Sequence, residues 1–324
     1  MVKKAATESR FSKHDKLYRK LYAHPKMVED LIVNFVNERF VKDIDFTTLK
    51  ELKSKFVTDE YRDRESDVIY EMKLNGDSVY FYILIEFQST VDRFMPVRML
   101  TYIMLFYQDW LKKQTQKDKK TKSVDAIHLN TRKLPAVFPI LLYNGEAEWK
   151  TPVELKELID VRYKALEKYI PDFAYYKIIE TDFSPDGLKE IDSINAAMFA
   201  LEQAGVKDFG ECALRLTRVL KKEAHGDLKR DFRLWLNQLI RGYGIKEKDA
   251  DKILDELEAE KMTNLEKNMK NAFKEAEEKG VEKKARETAL KMLELGDDIK
   301  KVSIVTGLSE KEIKNLKAAS KKAA

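Results

Sequence analysis

Two periods run through this chain. Between residues 16 and 35 apolar positions recur three and four apart: Leu17, Leu21 and Tyr22, then Met27, Val28, Leu31, Ile32 and Phe35. That spacing predicts two helices. His24-Pro25 separates them, with Pro25 suited to the first turn of the second. The period then shortens to that of strands. "LKSKFVTDEY" (52–61) reads as one strand, and "ESDVIYEMKL" (65–74) and "DSVYFYILIEFQS" (77–89) as a hairpin about Asn75-Gly76. Asn-Gly favours such a turn because both residues tolerate φ > 0.

Beyond the hairpin, Pro96 opens a helix with Val97, Leu100, Ile103, Met104, Tyr107, Trp110 and Leu111 on one face. "KKQTQKDKKTKS" (112–123) reads as a Lys-rich loop, "LPAVFPILLYNG" (134–145) as a buried strand, and a helix is expected from about Val153. "YYKIIETDF" (175–183) reads as another strand, "SPDG" (184–187) as a turn, and the chain from about Ile191 as helical. The order of helices, three strands, helix and strand argues an α/β fold with a mixed sheet and an appended α-helical C-terminal lobe. Three segments are expected: residues 10–185, 186–260 and 261–324.

Parity brings chemistry to the hairpin. Glu86 and Gln88 are two apart and so share a strand face. With a two-residue turn, paired positions sum to 151 and Asp67 stands opposite Leu84, diagonal to Glu86. With a four-residue loop the sum is 153 and Asp67 faces Glu86 directly. Either register puts Asp67, Glu86 and Gln88 on one face with Ile69, Tyr80, Tyr82 and Leu84. Carboxylates at the edge of an apolar surface need compensation, and a divalent cation such as Mg²⁺ provides it. On spacing alone, the commoner arrangement is two strand-end acids paired with Arg62, Arg64 or Arg93, because Asp…Glu-x-Gln is a weak pattern.

Composition narrows the classes. The 324 residues are 44% apolar and 36% charged, and no apolar run approaches the roughly 18 residues of a membrane span. "MVKKAATESR" lacks the apolar stretch of a secretion signal, and Cys212 is the sole cysteine. A cytoplasmic protein without a membrane partner is the expectation. The formal net charge is +5. Residues 261–324 hold 16 Lys and Arg against 11 Asp and Glu, so the whole surplus lies there; this permits polyanion binding without requiring it.

"HDKLYRKL", "ESDVIYEMK", "YILIEFQS", "RFMPVRMLTYIMLFYQDW" and "FPILLYNGEAEW", in this order, resemble the Rpn family of recombination-promoting nucleases, transposase-like members of the PD-(D/E)XK superfamily. The resemblance covers roughly residues 10–150; "KMLELGDDIKKVSIVTGLSEKEIKNLK" is similar to the closing segment of such proteins. It implies a PD-(D/E)XK restriction-endonuclease-like core of order αβββαβ and a metal-dependent DNA endonuclease. Asp67 matches the motif aspartate and Glu86 the second acid, with Mg²⁺ or Mn²⁺ held by both and by the Phe87 carbonyl. Gln88 stands where the superfamily usually has lysine. It orients through hydrogen bonds without supplying charge, which Arg93, Arg98 or a second ion would have to provide. Glu65 is a candidate further ligand, and Asp15 and Glu29 weaker ones. Arg93, Arg98 and Lys113 are candidate DNA-phosphate contacts, and a double-strand cut by two centres calls for a homodimer. The alternative is a catalytically inactive DNA-binding or protein-interaction module on the same fold; no residue excludes RNA as substrate.

The closing segment also carries a helix-turn-helix pattern. Gly296 ends one helix, Asp297-Asp298 begins the next, Gly307 ends it, and Ser309 with Glu312 forms a capping box. Ile299, Val302 and Val305 read as its buried face. Glu310 and Glu312 in the first turn of the last helix count against DNA reading, and a structural or partner-binding cap is the preferred expectation. His14, His24, His128 and His225 lack metal-site spacing.

Overall fold

The computed structural model describes residues 16–52, 67–86, 91–121, 133–145, 147–205, 207–222, 226–260 and 262–323; the side chains of Asp67 and Glu86 fall outside the description. Helices α1 (residues 16–22) and α2 (Pro25–Phe35) lead, followed by a 3-10 turn at Arg39–Asp43. Strands β1 (Ile44–Glu51), β2 (Asp67–Leu74) and β3 (Asp77–Glu86) follow. Helix α3 (Met95–Thr121), β4 (Ala136–Tyr143) and β5 (Tyr176–Ile179) come next. The five strands form one mixed sheet in sequence order. The β1–β2 and β2–β3 pairs are antiparallel; β3–β4 and β4–β5 are parallel. Parallel neighbours cannot be joined by a tight turn, and α3 supplies the crossover from β3 to β4.

Both sheet faces are covered. On one, Ile69, Tyr80, Tyr82, Leu84, Leu141, Tyr143 and Ile179 pack with Met95, Met99, Tyr102 and Phe106 of α3. On the other, the Tyr70 hydroxyl donates to the Tyr22 carbonyl (2.9 Å) and the Tyr176 hydroxyl to the Phe35 carbonyl (3.2 Å), tying α1 and α2 to the sheet.

Seven further helices are described: α4 (Pro185–Glu190), α5 (Ile194–Glu202), α6 (Phe209–Lys222), α7 (Gly226–Gly242), α8 (Glu247–Glu258), α9 (Met262–Glu294) and α10 (Ile299–Thr306); an eighth, α11, spans Glu310–Ala323. The chain divides into two compact units. One comprises Met1–Gly205 with Arg215–Trp235, the other Val206–Leu214 with Leu236–Ala324. In the first, buried Asp231 of α7 receives Lys20 Nζ (2.7 Å) and His24 Nε2 (2.9 Å) from the start of the chain. In the second, Phe209, Tyr243 and Phe273 pack edge to face, with centroids 5.1–5.7 Å apart. Among the described residues no helix is long and apolar enough to cross a membrane.

Four local expectations are corrected. The first described strand is Ile44–Glu51, and the strand read at 52–61 lies, from residue 53 on, outside the described residues. The buried stripe of α3 is Met95, Met99, Tyr102, Ile103 and Phe106, while Val97, Met104 and Leu111 are exposed. Nearly every face of this helix carries apolar residues, so spacing alone admits more than one stripe. The Lys-rich run is helical as far as Thr121, since Lys and Gln favour helix without any packing. In place of a helix from Val153 there are 3-10 turns at Leu155–Leu158 and Lys164–Tyr169. "SPDG" opens α4: the Ser184 hydroxyl accepts the Gly187 N–H (3.1 Å) and Pro185 takes the first helical position.

Candidate active site

The hairpin turn fixes the register. Asn75 (φ 50°) and Gly76 (φ 91°) both lie in the left-handed region, as a two-residue hairpin turn of matching twist requires. Leu74 therefore pairs with Asp77, and the ladder runs without a break to Asp67 opposite Leu84. Glu86 is two residues beyond Leu84, so positions 67 and 86 are diagonal neighbours of the same alternate set. On its other side Glu86 pairs with Tyr143, and Tyr143 with Ile179. The start of β2 and the ends of β3, β4 and β5 thus meet at one end of the sheet.

The wall beside these positions is apolar and aromatic. Tyr143 is fully buried, with its ring 4.8 Å from Trp149. The Trp149 indole N–H donates to the Tyr175 hydroxyl (3.1 Å), which donates to the Pro152 carbonyl (3.2 Å). Burial pushes the Tyr175 hydroxyl up to about 12, leaving it a neutral hydrogen-bonding group. Tyr82 stacks on Tyr102 (5.9 Å), and the Arg98 guanidinium lies 5.9 Å from the Tyr102 ring centre.

The remaining expected residues are distributed unevenly. Arg93 is exposed in the turn just before α3. Helix α3 runs antiparallel to β3, since Tyr102 meets Tyr82 and Phe106 meets Tyr80. Lys113, roughly 27 Å along that helix from Met95, therefore lies toward the end of the sheet opposite Glu86, ion-paired with Asp109 (2.9 Å). Glu29 belongs to α2, on the sheet face away from α3, 3.7 Å from Lys26. The structure brings neither Lys113 nor Glu29 to the strand-end positions. Phe87, Gln88, Glu65 and Asp15 lie outside the described residues. Among the described residues, no group of three or more His, Cys, Asp or Glu side chains is arranged to hold a metal ion.

One polar cluster at this end of the sheet has no sequence signal. Glu180 follows β5 directly and is only 2% exposed. Its carboxyl hydrogen-bonds that of Glu202, at the end of α5, and Glu202 also bonds Asn144, which follows β4. The Tyr18 hydroxyl donates to Glu202 and lies 3.5 Å from Glu180 Oε1. Burial, reinforced by the neighbouring Glu202, pushes Glu180 well above the usual carboxylate range, and burial pushes Glu202 up to about 7. Two carboxyls in contact are held by a shared proton. Alongside, Tyr22 donates to the Asn195 side-chain carbonyl and Asn195 Nδ2 donates to Asp30 (2.7 Å). Asp30 also accepts the Ser193 hydroxyl (2.6 Å) and the Ile194 and Asn195 N–H groups (3.2 and 2.9 Å), capping α5 from α2. Only the third dimension joins these residues; Tyr18 and Glu202 are separated by 184 positions.

Residues 12–230 match the family described as "Putative transposase, YhgA-like". The chain is 30% identical over 132 residues to recombination-promoting nuclease RpnA of Escherichia coli strain K12, covering 41% of this chain and 40% of that protein. It is 26% identical over 138 residues to recombination-promoting nuclease RpnC of the same strain, covering 41% and 39%. The chain thus spans about two fifths of the length of these relatives. A longer match, 23% identical over 314 residues and covering 94% of this chain and 97% of the relative, is to inactive recombination-promoting nuclease-like protein RpnE of that strain. No solved structure matches the chain.

Proposed function

This chain belongs to the YhgA-like transposase family of recombination-promoting nucleases, and from that premise we propose that it is a metal-dependent DNA endonuclease with a PD-(D/E)XK core. The observation that carries the proposal is the hairpin register. It sets position 67 diagonal to position 86 where two parallel strands end, against a buried aromatic wall. Two carboxylate positions on one face suit a hard cation with oxygen ligands.

Asp67 and Glu86 would hold Mg²⁺ or Mn²⁺, with the Phe87 carbonyl as a third donor and Glu65 as a further one. A bound divalent ion supplies Lewis-acid polarisation of the phosphate and a water of lowered pKa. Gln88 orients the attacking water, donating and accepting hydrogen bonds without charge. Arg93 and Arg98, at the start of α3, meet phosphate oxygens and stabilise the negative charge that builds up there. Tyr143 and Trp149 exclude bulk water from the inner wall, which strengthens each electrostatic contact beside it. Cutting both strands of a duplex takes two such centres, so the active species is a homodimer acting in the cytoplasm.

One observation favours a second reading. A relative that matches nearly the whole chain is one named inactive, which fits a DNA-binding or protein-interaction module that has kept the fold and lost cleavage. Nicking of supercoiled plasmid with Mg²⁺ or Mn²⁺ separates the two. The nuclease nicks, and Asp67→Ala and Glu86→Ala each lower the rate by more than about 100-fold. Undiminished cleavage by both variants, or none by the unmodified chain with either metal, would overturn the proposal.

A further inference from the structure

The family match ends at residue 230, and the helices that close the chain lie beyond it. Their geometry is specific. Asp298 caps α10, its carboxylate accepting the Lys301 N–H (3.0 Å). Gly307 ends α10 at φ 72°, its N–H donating to the Ser303 carbonyl (2.9 Å). That left-handed residue lets the chain reverse within Gly307-Leu308-Ser309. Ser309 and Glu312 then close a reciprocal capping box. The Ser309 N–H (2.9 Å) and hydroxyl (2.7 Å) donate to Glu312, and the Glu312 N–H donates to Ser309 Oγ (3.3 Å). Val302, Leu308 and Ile313 are buried with Ala289 of α9, and Met292, Ile299 and Leu316 pack around them. Val305, expected inside, is exposed. Three helices thus share a small core, with a short helix and a tight glycine turn leading into the last.

The outer face of α11 follows from that core. At about 100° per residue, Lys311, Lys314 and Asn315 fall within roughly 50° of the direction opposite Ile313 and Leu316. Glu310 and Glu312 fall about 90° or more from it, on the flanks. All three outer residues are exposed, and the Glu312 carboxylate is folded back on Ser309. The acids of the first turn, which in the linear sequence oppose DNA reading, therefore lie on the flanks of that face, with Glu310 3.9 Å from Lys314 Nζ. That face presents donors and an amide suited to guanine and adenine edges in the major groove, in the segment that carries the whole positive surplus of the chain.

We propose that α10 and α11 form a helix-turn-helix that seats α11 in the major groove of duplex DNA, with Lys311, Lys314 and Asn315 toward the bases and phosphates. The inference deepens the nuclease reading by giving its DNA substrate a second, sequence-reading contact. Exposed Ile304 (84%) and Val305 on α10 are what a protein partner would use instead, and the test separates the two.

The test uses the full chain carrying Glu86→Ala, to prevent cleavage, in selection from a random duplex library and in anisotropy titrations of a selected duplex across a salt series. Lys311→Glu with Lys314→Glu weakens binding at least about 10-fold and lowers the slope of log affinity against log salt by about 2. Asn315→Ala relaxes the selected sequence at one position. Lys283→Glu with Lys284→Glu, an equal charge change on the exposed side of α9, leaves binding within about 2-fold. Equal losses in the two charge variants would mean non-specific attraction and would overturn the proposal. So would binding unaffected by the α11 substitutions, or no duplex retained by the unmutated face; self-association abolished by Ile304→Lys would then mark the segment as a protein interface. Failure here is distinguishable from failure of the nuclease reading. Plasmid nicking that depends on Glu86 while α11 variants bind normally removes only this inference. Duplex reading through α11 without nicking removes only the other.

Discussion

Replacing Glu202 with glutamine should raise stability at neutral and alkaline pH and leave it little changed in acid. On folding, the Glu202 carboxyl moves from its ordinary 4.5 to about 7, chiefly because it is buried. That difference corresponds to about 3 kcal/mol between its two protonation states. The direction follows from proton counting. The unfolded chain releases this proton near 4.5, whereas the native chain holds it until about 7. Between those values the native state binds more protons, so stability falls as pH rises. The cost is absent below 4.5 and complete above 7. Glutamine is neutral throughout and keeps an acceptor for Tyr18. Urea titrations at several pH values should show the variant gaining on the unmodified protein from pH 5 to pH 8, by up to about 3 kcal/mol. Tryptophan fluorescence suits the measurement, because Trp110, Trp149 and Trp235 all belong to the unit that holds the acid pair. Parallel stability–pH curves for the two proteins would refute the shared-proton account. Glu180→Gln should reproduce the effect from the other side of the pair.

Met99, fully buried on the sheet side of α3, should cost about 2–5 kcal/mol as alanine, whereas Val97→Ala on the exposed side should stay within about 1 kcal/mol; urea midpoints of the two variants test which face is inside. Asp30→Ala removes the acceptor of the Ile194 and Asn195 N–H groups and one of the two acceptors of Asn195 Nδ2, which keeps the Met27 carbonyl, and should lower stability by about 2–3 kcal/mol in the same assay. Gly145→Ala puts a methyl group where the Tyr143 ring now lies, so the ring must leave Trp149, at about 1–3 kcal/mol; a changed near-ultraviolet circular dichroism spectrum would report the displacement.

What could be read from the chain alone was whatever rests on neighbouring residues. Asn75 and Gly76 tolerate a left-handed backbone, so the turn was legible, and with it the two registers of which the shorter is observed. Ser309 with Glu312, and Gly307, announced the boundaries of the last two helices for the same reason. The inward face of α3 was not legible, because a helix apolar on most sides has its orientation decided by the sheet it covers, and Met95, Met99, Tyr102 and Phe106 are the residues that fit there. Nor did any local pattern announce the Glu180–Glu202 pair. Its chemistry arises from desolvation and from a neighbouring charge, and neither exists until β5, α5 and α1 have closed around it.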